Sequence, residues 1–514
     1  MKPLLFVLFS LFIATSAFCE TFVSGEVRGE WTRGGNPYIA VGDLFLTSND
    51  TLVIRAGVIV KFESGREFTL SGHFECLGEA GDSVYFTQDT TDFDDRWLGL
   101  SFHGTNPADT SIVRYSVIEN AGTYSGALSV HTSYLLFEHN TVRNCLGIGV
   151  RIENQTAELR DCSIINNSGE GCGGGILTHR SDVTFRRCLI ADNSAMDGGG
   201  ICSFVGSVTF DACTLSRNSG SIWAGAIFAD SVNVTLTNCL FDSNYATDGG
   251  AGWIANDCRA RIDRCVFKEN FAIRSDGQLG SHGALLMYSP GPQHVTNCLF
   301  IGNRGNNGSA MNVMGNTWIF NCAFVGNSSF PAIYGDVDTL RHCSFDSRQL
   351  RNNATGPQGF GRLSAVNVNG DSVDVFGNLY ALADFDSTGP YGEYSLARTS
   401  HWINAGDANG PPDEDGTLPD IGPFPFYIVG QVTDLTIERI AESNSLRLHW
   451  SPIETATEYW VFRTNGGEFR IDEAFLVGVT PSDEFVDLDA VIDPIAQRTY
   501  VVISVRVPPE IVLP

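Results

Sequence analysis

The sequence is poor in cations, and in lysine above all. Lysine occurs only at positions 2, 61 and 268, and 59 Asp and Glu residues outnumber 32 Lys and Arg residues, which gives a formal net charge of −27. A surface of this charge repels nucleic acids and anionic membranes, so we expect neither as a partner. Anionic polysaccharides are also disfavoured unless a local Arg cluster or bound cations bridge the charge.

The sequence also lacks an apolar run long enough to span a bilayer. Its first residues, MKPLLFVLFSLFIATSAFCE, have the pattern of an export signal, with Lys2 at the start, an apolar stretch and a small-residue exit. The apolar stretch is too short for a membrane span. We therefore predict a signal peptide over residues 1–19 and a mature chain that is secreted or at the cell surface, without a transmembrane segment. A lipid anchor at Cys19 is the less favoured alternative, because Phe18 stands where such motifs have a small residue.

The 3.6-residue apolar period of helices is absent, and a longer repeat takes its place. Eight Cys are separated by 26, 25, 26, 26, 33, 24 and 21 residues, and an Asn follows seven of them five residues later. Each repeat holds a glycine-led run such as GGGICS, an alternating triplet such as VTF, and a strand that begins C-x-[IFL]. The repeated residues are Cys162, Cys188, Cys213, Cys239, Cys265, Cys298, Cys322 and Cys343, with Asn167, Asn193, Asn218, Asn244, Asn270, Asn303 and Asn327.

Strands this short cannot bury their own faces, but stacked coils can. Each strand would then pair in parallel with its copies above and below, at about 4.8 Å per coil. We therefore predict an all-β chain with a right-handed parallel β-helix over residues 20–426 and its core repeats over about 110–350.

Several of these motifs also resemble known families. The F-x-x-N copies with the GGGI copies resemble polymorphic outer-membrane-protein repeats and, more broadly, right-handed β-helix proteins of the pectate-lyase type. The run PYIAVGDLFLTSNDTLVIRAGVIVKF is similar to the opening coils of large exported bacterial β-helix proteins, and Ile403–Phe426 resembles the segment that closes such solenoids. The resemblance covers roughly residues 36–426. It implies the fold but no single activity, because these families include lyases, hydrolases, adhesins and autotransporter passengers.

The pattern changes after residue 430. Five strand-like runs follow, among them SLRLHWSP and RTYVVISV, and they resemble a fibronectin type III β-sandwich with Trp450 and Tyr500 in the core. We predict such a domain over residues 430–514, ending short of a seventh strand. Modules of this kind act as spacers or adhesive units.

The repeated Cys allow four interpretations. A disulfide framework is common in exported chains, but in-register side chains in neighbouring coils point the same way, so we favour stacked free thiols. Zinc is disfavoured because paired C-x2–4-C motifs are missing, and a nucleophile because no His recurs beside the Cys row. The Asn row is expected to hydrogen-bond along the solenoid. Better disulfide candidates, with pairing left open, are Cys76, Cys145, Cys172, Cys202 and Cys258.

One predicted outward row carries aromatic residues. If Ile201 and Ile227 face inward, Phe228 and Trp253 face outward on neighbouring coils and form an apolar ledge on which sugar rings could stack. The alternatives are that the side-chain parity is off by one or that a loop covers the ledge. The full row is Leu177, Cys202, Phe228, Trp253, Leu286, Asn312 and Tyr334.

Two groups of acids are further candidates. One group precedes the glycine clusters of different coils and consists of Glu170, Asp197 and Asp248. These acids could form a cation-binding edge or a carboxylate pair, or they could be ordinary turn residues. Asp413, Asp415 and Asp420 could bind Ca²⁺, the one cofactor that the sequence suggests, or could cap the end of the solenoid.

From these features we predict an exported, non-catalytic β-helix protein for adhesion or glycan binding. Its partner would be an extracellular polysaccharide or a cell-surface glycan. The alternative is a polysaccharide lyase or glycoside hydrolase. That activity would need an Asp pair and an Arg or Lys converging on one face, near Asp197, Asp248 and Trp253.

Overall fold

The computed structural model divides the chain into two compact units. The first comprises residues 1–170 and 174–183, and the second comprises residues 171–173 and 184–514. The predicted signal peptide, Cys19 and Asp415 lie outside the described residues. The described residues are 20–89, 96–104, 111–122, 125–131, 135–328, 331–346, 359–381, 384–387, 392–397, 399–413, 417–426, 430–432, 434–440, 445–452, 458–464, 475–487 and 499–505.

The first unit is built from short strands that pair in parallel. Each strand pairs with a copy one coil later in the chain, so that β6 pairs with β9, β9 with β12 and β12 with β15. A 3₁₀ helix covers Arg33–Gly35. The strands are β1 (Thr21–Glu26), β2 (Gly29–Trp31), β3 (Tyr38–Leu46), β4 (Thr51–Arg55), β5 (Ile59–Phe62), β6 (Glu67–Leu70), β7 (His73–Leu77), β8 (Val84–Gln88), β9 (Gly99–Phe102), β10 (Ser111–Arg114), β11 (Ser116–Glu119), β12 (Leu128–His131), β13 (Leu135–Glu138), β14 (Thr141–Arg143), β15 (Val150–Glu153), β16 (Thr156–Arg160), β17 (Ser163–Ile165) and β18 (Ile176–Arg186), which begins in this unit.

The second unit repeats this arrangement and then changes character. Its strands up to β39 pair in parallel from coil to coil, whereas the later strands pair antiparallel. A 3₁₀ helix covers Gly392–Tyr394. The strands are β19 (Leu189–Ala191), β20 (Ser194–Asp197), β21 (Ile201–Asp211), β22 (Thr214–Ser216), β23 (Ser219–Trp223), β24 (Ile227–Thr237), β25 (Leu240–Asp242), β26 (Tyr245–Asp248), β27 (Gly252–Ala255), β28 (Arg259–Asp263), β29 (Val266–Lys268), β30 (Phe271–Ala272), β31 (Leu285–Tyr288), β32 (Gln293–Thr296), β33 (Leu299–Ile301), β34 (Met311–Met314), β35 (Thr317–Phe320), β36 (Ala323–Val325), β37 (Ile333–Gly335), β38 (Thr339–Arg341), β39 (Ser344–Phe345), β40 (Ala365–Val366), β41 (Ser372–Val373), β42 (Gly430–Gln431), β43 (Thr436–Arg439), β44 (Leu446–His449), β45 (Glu458–Thr464), β46 (Phe475–Thr480), β47 (Glu484–Asp487) and β48 (Thr499–Val505).

The coils of the second unit have one strand more than the sequence pattern indicates. The glycine-led run, the alternating triplet and the C-x-[IFL] strand are present, and β20, β23, β26 and β30 add a fourth parallel sheet. These strands lie between the repeated Asn and the glycine cluster. The sequence hides them because they are two to five residues long and lack a clear alternation of apolar and polar residues.

The repeated Asn form a hydrogen-bonded ladder inside the second unit. Asn218 Nδ2 donates to Asn244 Oδ1 at 3.0 Å, and Asn244 Nδ2 donates to Asn270 Oδ1 at 3.0 Å. Asn244 Nδ2 also donates to the Leu215 carbonyl at 2.7 Å, and its Oδ1 accepts the Asn218 backbone N–H at 3.0 Å. Asn193, Asn303 and Asn327 extend the ladder with the same contacts. Each amide thereby satisfies buried backbone groups that the tight turn leaves without a strand partner.

The repeated Cys lie beside this ladder as buried thiols without disulfide partners. Burial raises the pKa of Cys239 and of Cys265 well above the usual range, which keeps both thiols neutral and unreactive. The C-x-[IFL] strands pair from coil to coil as the third sheet, and two positions after each Cys the inward residue of this sheet is in most coils a Phe. Phe241, Phe267, Phe300, Phe324 and Phe345 stack with ring centroids 4.7 to 5.1 Å apart.

In one coil of the first unit, the repeated Cys and the repeated Asn exchange positions. Asn140 takes the Cys position, since its carbonyl accepts the Ser163 N–H at 2.8 Å, and its amide Nδ2 donates to the Val113 carbonyl at 2.8 Å. Cys145 takes the Asn position, where its N–H donates to Asn167 Oδ1 at 3.1 Å. Cys145 is therefore a member of the ladder rather than an off-register disulfide candidate, and it is buried and unbridged.

The segment after the last regular coil folds back onto the outer side of the third sheet. Leu379 continues this sheet, because its N–H donates to the Cys343 carbonyl at 2.8 Å. Trp402, Ile421 and Phe424 pack against outward side chains of that sheet, such as Leu299. The predicted closing segment thus covers a lateral face of the solenoid as well as following its last coil.

The last described strands form two small antiparallel sheets, with strand orders β42-β48-β45-β46 and β43-β44-β47. Trp450 and Tyr500 lie in their shared core, where the Tyr500 hydroxyl donates to Asp487 Oδ2 at 2.8 Å. The sequence pattern indicates no seventh strand after Val505. In the structure the seventh strand is β42, which comes before the other six in the chain and pairs with β48. The described residues include no helix with the length and apolar character of a membrane span.

The Asn ladder makes a direct prediction about stability. Asn244→Ala removes four side-chain hydrogen bonds and deprives the buried Asn218 N–H and Leu215 carbonyl of their contacts with this amide. We expect the free energy of unfolding to fall by about 3 kcal/mol or more. Chemical denaturation measures this change. Asn233→Ala, an exposed Asn of the same coil, is the control and should change stability by less than about 0.5 kcal/mol. Equal effects of the two substitutions would contradict the role of the ladder.

Candidate functional site

The candidate site lies on the second unit, where the fourth sheet adjoins the first sheet. The first sheet is formed by the glycine-led strands, and its outward row is the one that carries Phe228 and Trp253. One register position of the fourth sheet carries Asp197, Trp223 and Asp248 on three successive coils. Isolated bridges extend this row to Cys172 before Asp197 and to Ser281 after Asp248. The two acids therefore share a row, as the sequence predicts, but Cys172 takes the place expected for Glu170.

Trp223 reaches this row through a β-bulge. Asp197 comes four residues after Asn193, whereas Trp223 comes five residues after Asn218, and the register of β23 shifts between Gly220 and Trp223. A bulge of this kind inserts one residue and re-aims the side chains that follow it. The insertion places Trp223 between Asp197 and Asp248 in this row.

The outward row of the first sheet has the predicted register. Cys202, Phe228, Trp253 and Leu286 are Cα partners on successive coils. The row continues through Asn312 and Tyr334.

The predicted exposure of Phe228 is wrong. Its side chain is only 7% exposed because Trp223 stacks over it at 6.0 Å, with Phe204 also 6.0 Å away. The covering-loop alternative therefore holds for Phe228. Trp223, which is 39% exposed, presents an aromatic surface in its place.

Five rings make up what we call the aromatic surface. Trp223 lies 5.2 Å from Trp253 at an interplanar angle of 37°, and Trp253 meets His282 edge-on at 6.5 Å. On the fourth sheet, Tyr245 and Phe271 stack at 5.3 Å. The exposed apolar residues Met196 and Ile222 lie on β20 and β23 of the same sheet. The members of the aromatic surface are Trp223, Tyr245, Trp253, Phe271 and His282.

The two carboxylates are tied to the backbone of the following coil. Asp197 Oδ1 accepts the Trp223 N–H at 3.2 Å, and Asp248 Oδ1 accepts the Ser281 N–H at 2.8 Å. Burial raises the pKa of Asp197, and the Trp223 N–H opposes this shift. Asp197 therefore helps to hold the backbone at Trp223, Asp248 helps to hold the backbone at Ser281, and each acid has a second oxygen that can accept from other donors.

His282 adds a polar group beside Trp253. Its Nδ1 lies 2.9 Å from the Asn307 carbonyl oxygen and 2.9 Å from Asn312 Nδ2. The Asn307 carbonyl oxygen can only accept a hydrogen bond and the Asn312 amide nitrogen can only donate one, so the two contacts place opposite demands on Nδ1. Burial lowers the pKa of His282, which favours the neutral form of the ring.

A disulfide closes one end of the site. Cys172 in the row of Asp197 is bonded to Cys202 in the row of Phe228, and the bond joins the fourth sheet to the first. Of the other candidates for bridging, Cys76 and Cys258 are buried free thiols.

The predicted calcium residues lie elsewhere in the second unit. Asp420 is 3% exposed, and its two oxygens accept the backbone N–H groups of Asn404 at 2.6 Å and Phe426 at 2.5 Å. Asp413 Oδ2 accepts the Asp420 N–H at 2.9 Å. The described residues contain no group of three His, Cys, Asp or Glu side chains placed to hold a metal ion. Asp415 is not among them, so calcium binding stays a prediction.

The aromatic surface includes residues that sequence reasoning missed. Trp223, Tyr245, Phe271 and His282 lie in segments that we interpreted as turns. The one usable signal is the extra residue between Asn218 and Ala226 relative to the coils on either side. An insertion that leaves the repeat otherwise intact indicates a bulge, and bulges often aim functional side chains.

Comparison with known families supports the fold. A family model described as a right-handed beta helix region matches residues 103–190 and 174–345. Together with the parallel strand pairing, this match supports a right-handed parallel β-helix. A search of curated proteins finds no match to the chain.

The buried carboxylate of Asp197 predicts a pH-dependent stability. Its folded-state pKa is raised, so the ionised side chain destabilises the fold at neutral pH, and this penalty disappears as the pH falls through the raised pKa. Asp197→Asn keeps an acceptor for the Trp223 N–H, and we expect it to unfold at higher denaturant concentration than the natural chain at pH 7. The difference should shrink towards pH 4. Asp257→Asn, at an exposed site, controls for the change in net charge. A difference that is constant with pH would contradict the assignment.

Proposed function

We propose that the second unit binds an extracellular glycan through the aromatic surface, as part of an exported protein of the cell surface or extracellular space. The parallel β-helix is the scaffold. The single observation that carries the proposal is the exposed Trp223, which a bulge places between Asp197 and Asp248 in one row of the fourth sheet. Export rests on the N-terminal signal pattern in the sequence.

The chemistry of the aromatic surface suits sugars. Pyranose rings present apolar C–H faces that pack on aromatic rings, and hydroxyl groups that need acceptors. Trp223 has one face against Phe228 and is still 39% exposed, so part of the indole away from Phe228 is open to a ligand. Asp248, which lies next to it in the same row and is less buried than Asp197, can accept a hydroxyl proton with its second oxygen.

The same geometry limits which parts of the rings a ligand can reach. Tyr245 and Phe271 stack face to face with an interplanar angle of 6°, so each ring shields one face of the other. A row of in-register rings exposes mainly edges, in contrast to the flat ledge predicted from the sequence. Trp223 departs from this pattern because it enters from the bulge, and it is therefore the residue that we assign to sugar stacking.

Binding without cleavage is the interpretation that we favour at this surface. Asp197 is only 9% exposed, and both carboxylates are bonded to backbone N–H groups. These contacts explain each acid as a support of the backbone in the coil that follows it. A hydrolase or lyase would need at least one of them to face the substrate unencumbered.

The enzymatic alternative rests on the same two acids. They lie two coil spacings apart, about 10 Å between Cα atoms, which is near the separation of carboxylates in inverting glycosidases. The raised pKa of Asp197 is what a general acid requires. A glycoside hydrolase is therefore the second candidate function, ahead of a polysaccharide lyase.

The C-terminal sheets fit a supporting role. We propose that they form a fibronectin type III-like domain that acts as a spacer or adhesive unit. Seven strands, two sheets and a buried Trp450 and Tyr500 favour this assignment.

A glycan array with the full chain tests the binding proposal. Trp223→Ala should weaken binding to any glycan that the natural chain binds on the array by about tenfold, because it removes one stacked aromatic contact. Trp253→Ala should weaken it as well, since Trp253 supports Trp223. Trp318→Ala is the control, because Trp318 is a half-buried Trp that stacks on His294 on a different sheet. Binding that survives both Trp223→Ala and Trp253→Ala would refute the assignment.

Reducing-sugar release from the glycans that the natural chain binds separates binding from hydrolysis. We expect no turnover above that of heat-unfolded protein. Turnover that Asp248→Asn abolishes would overturn the binding-only interpretation in favour of the hydrolase. Asp257→Asn, with the same change in charge, should leave either result unchanged.

A further inference from the structure

A cluster of titratable side chains lies on the outer face of the first unit, where sequence reasoning predicts no site. It is carried by β6, β9, β12 and β15, which are neighbours in one parallel sheet. His131 is in register with Glu153 on the next coil, and Ser129 with Ser101 on the previous one. The stacking of coils therefore brings together residues that are far apart in the chain. The cluster consists of Glu67, Ser101, His103, His131, Arg151 and Glu153.

His131 and Glu153 form an imidazole–carboxylate pair. His131 Nδ1 lies 3.2 Å from Glu153 Oε2, so Nδ1 carries the proton and Nε2 is the nitrogen left for a substrate. Arg151 fixes the carboxylate, with Nε at 2.9 Å and Nη2 at 2.6 Å from Glu153 Oε1. The His131 side chain is 28% exposed and that of Glu153 is 19% exposed. A reachable imidazole oriented by a less exposed carboxylate is the arrangement of a general base.

The other half of the cluster holds the His131 ring in place. The His103 ring stacks on His131 at 5.1 Å and 16°, and His103 Nε2 lies 2.7 Å from Ser101 Oγ. On the neighbouring strand β6, Ser101 and His103 both favour the ionised form of Glu67 and so oppose the effect of its burial on the pKa. A base whose ring is fixed on one face by stacking and at Nδ1 by a carboxylate needs little reorganisation before a proton transfer.

The charges around His131 keep its imidazole neutral. Burial lowers its pKa, Glu153 opposes that shift, and the neighbouring His103 and Arg151 reinforce it. For Glu153, burial opposes ionisation, but Arg151 outweighs it and lowers the pKa. Burial raises the pKa of Glu67, at the far side of Ser101. His179 lies in register with Glu153 on the following coil. A neutral base beside an ionised carboxylate is the protonation state that base catalysis requires at neutral pH.

We propose that this cluster is an acid–base site that hydrolyses neutral carboxylic esters, such as O-acyl groups on a glycan. His131 acts as the base, Glu153 orients it, and His103 and Ser101 hold its ring. The proposal goes beyond glycan binding and adds an activity to a chain that the sequence predicts to be non-catalytic. It depends on no contact of the aromatic surface.

The reaction needs only water as a second substrate. His131 Nε2 takes a proton from a water molecule as the water oxygen bonds to the ester carbonyl carbon, and the carbonyl oxygen becomes an oxyanion. The intermediate then collapses, the bond between the carbonyl carbon and the alkoxy oxygen breaks, and the alcohol oxygen takes the proton from His131. The products are an alcohol and a carboxylic acid, which ionises. We assign the attack to water because Ser101 is only 7% exposed and already bonded to His103.

The chemistry of the cluster argues against other substrates. Glycoside hydrolysis uses two carboxylates that face the scissile bond, but Glu153 is occupied by Arg151 and His131. Phosphodiesters carry negative charge, and Asp43, Glu67 and Glu153 lie on this face of a chain with a net charge of −27. A neutral ester avoids both difficulties.

Hydrolysis of p-nitrophenyl acetate and acetylated xylan by the full chain tests the proposal. We expect saturable release of p-nitrophenol and acetate, with a rate that rises with pH through a midpoint below the usual histidine range. His131→Asn should lower the rate by about 100-fold or more. Glu153→Gln should lower the rate and also move the midpoint to lower pH, because the carboxylate raises the pKa of His131. A purely structural role for Glu153 would leave that midpoint unchanged.

His294→Asn is the matched control, since His294 is a ring-stacked surface His of the second unit, and it should leave the rate unchanged. Circular dichroism and thermal unfolding must first show that His131→Asn folds like the natural chain. If His131→Asn does not fold, the pH dependence of the hydrolysis rate of the natural chain tests the proposal, and a midpoint below the usual histidine range is the expected result. Absence of hydrolysis, or hydrolysis that does not saturate or is equal in His131→Asn, would overturn the proposal.

Discussion

In-register stacking of successive coils is the constraint on which the rest of this structure depends. A parallel solenoid places each side chain directly beside its copies, about 4.8 Å away on either side. A residue type can therefore repeat only if it tolerates a copy of itself at that distance. Asn does, because its amide both donates and accepts, and the ladder through Asn244 uses this property in every contact. Charged residues at an inward position would not.

The same constraint shapes the aromatic residues. In the core, Phe241 and Phe267 stack face to face, and this arrangement adds about 0.5–1.5 kcal/mol per pair to the burial of the rings. On the outside, Tyr245 and Phe271 also stack, which closes ring faces that a ligand could use. An exposed ring face for a ligand therefore has to come from a position where a coil departs from the regular repeat. The bulge before Trp223 is such a departure, and it supplies the most exposed indole of the aromatic surface.

Each unit has its own chemistry on the outward side of the strand that follows the small inward residues. In the first unit this side carries Ser, His, Arg and Glu, and in the second it carries mainly apolar and aromatic residues. Stacking converts a sequence spacing of about one coil into direct contact in both units. His103, His131 and Glu153 become neighbours in this way, as do Phe228 and Trp253.

The sequence by itself determined the repeat and therefore the fold. The spacing of Cys and Asn is sufficient because a periodic chain of short strands has one way to bury its apolar side chains. It also determined the register of the outward row and the shared row of Asp197 and Asp248. Only the tertiary structure decided that Trp223 covers Phe228, that Cys172 pairs with Cys202, and that His131 meets Glu153. The physical reason is that these contacts join different strands or different coils, and no local pattern records which side chain a bulge or a neighbouring coil brings into contact.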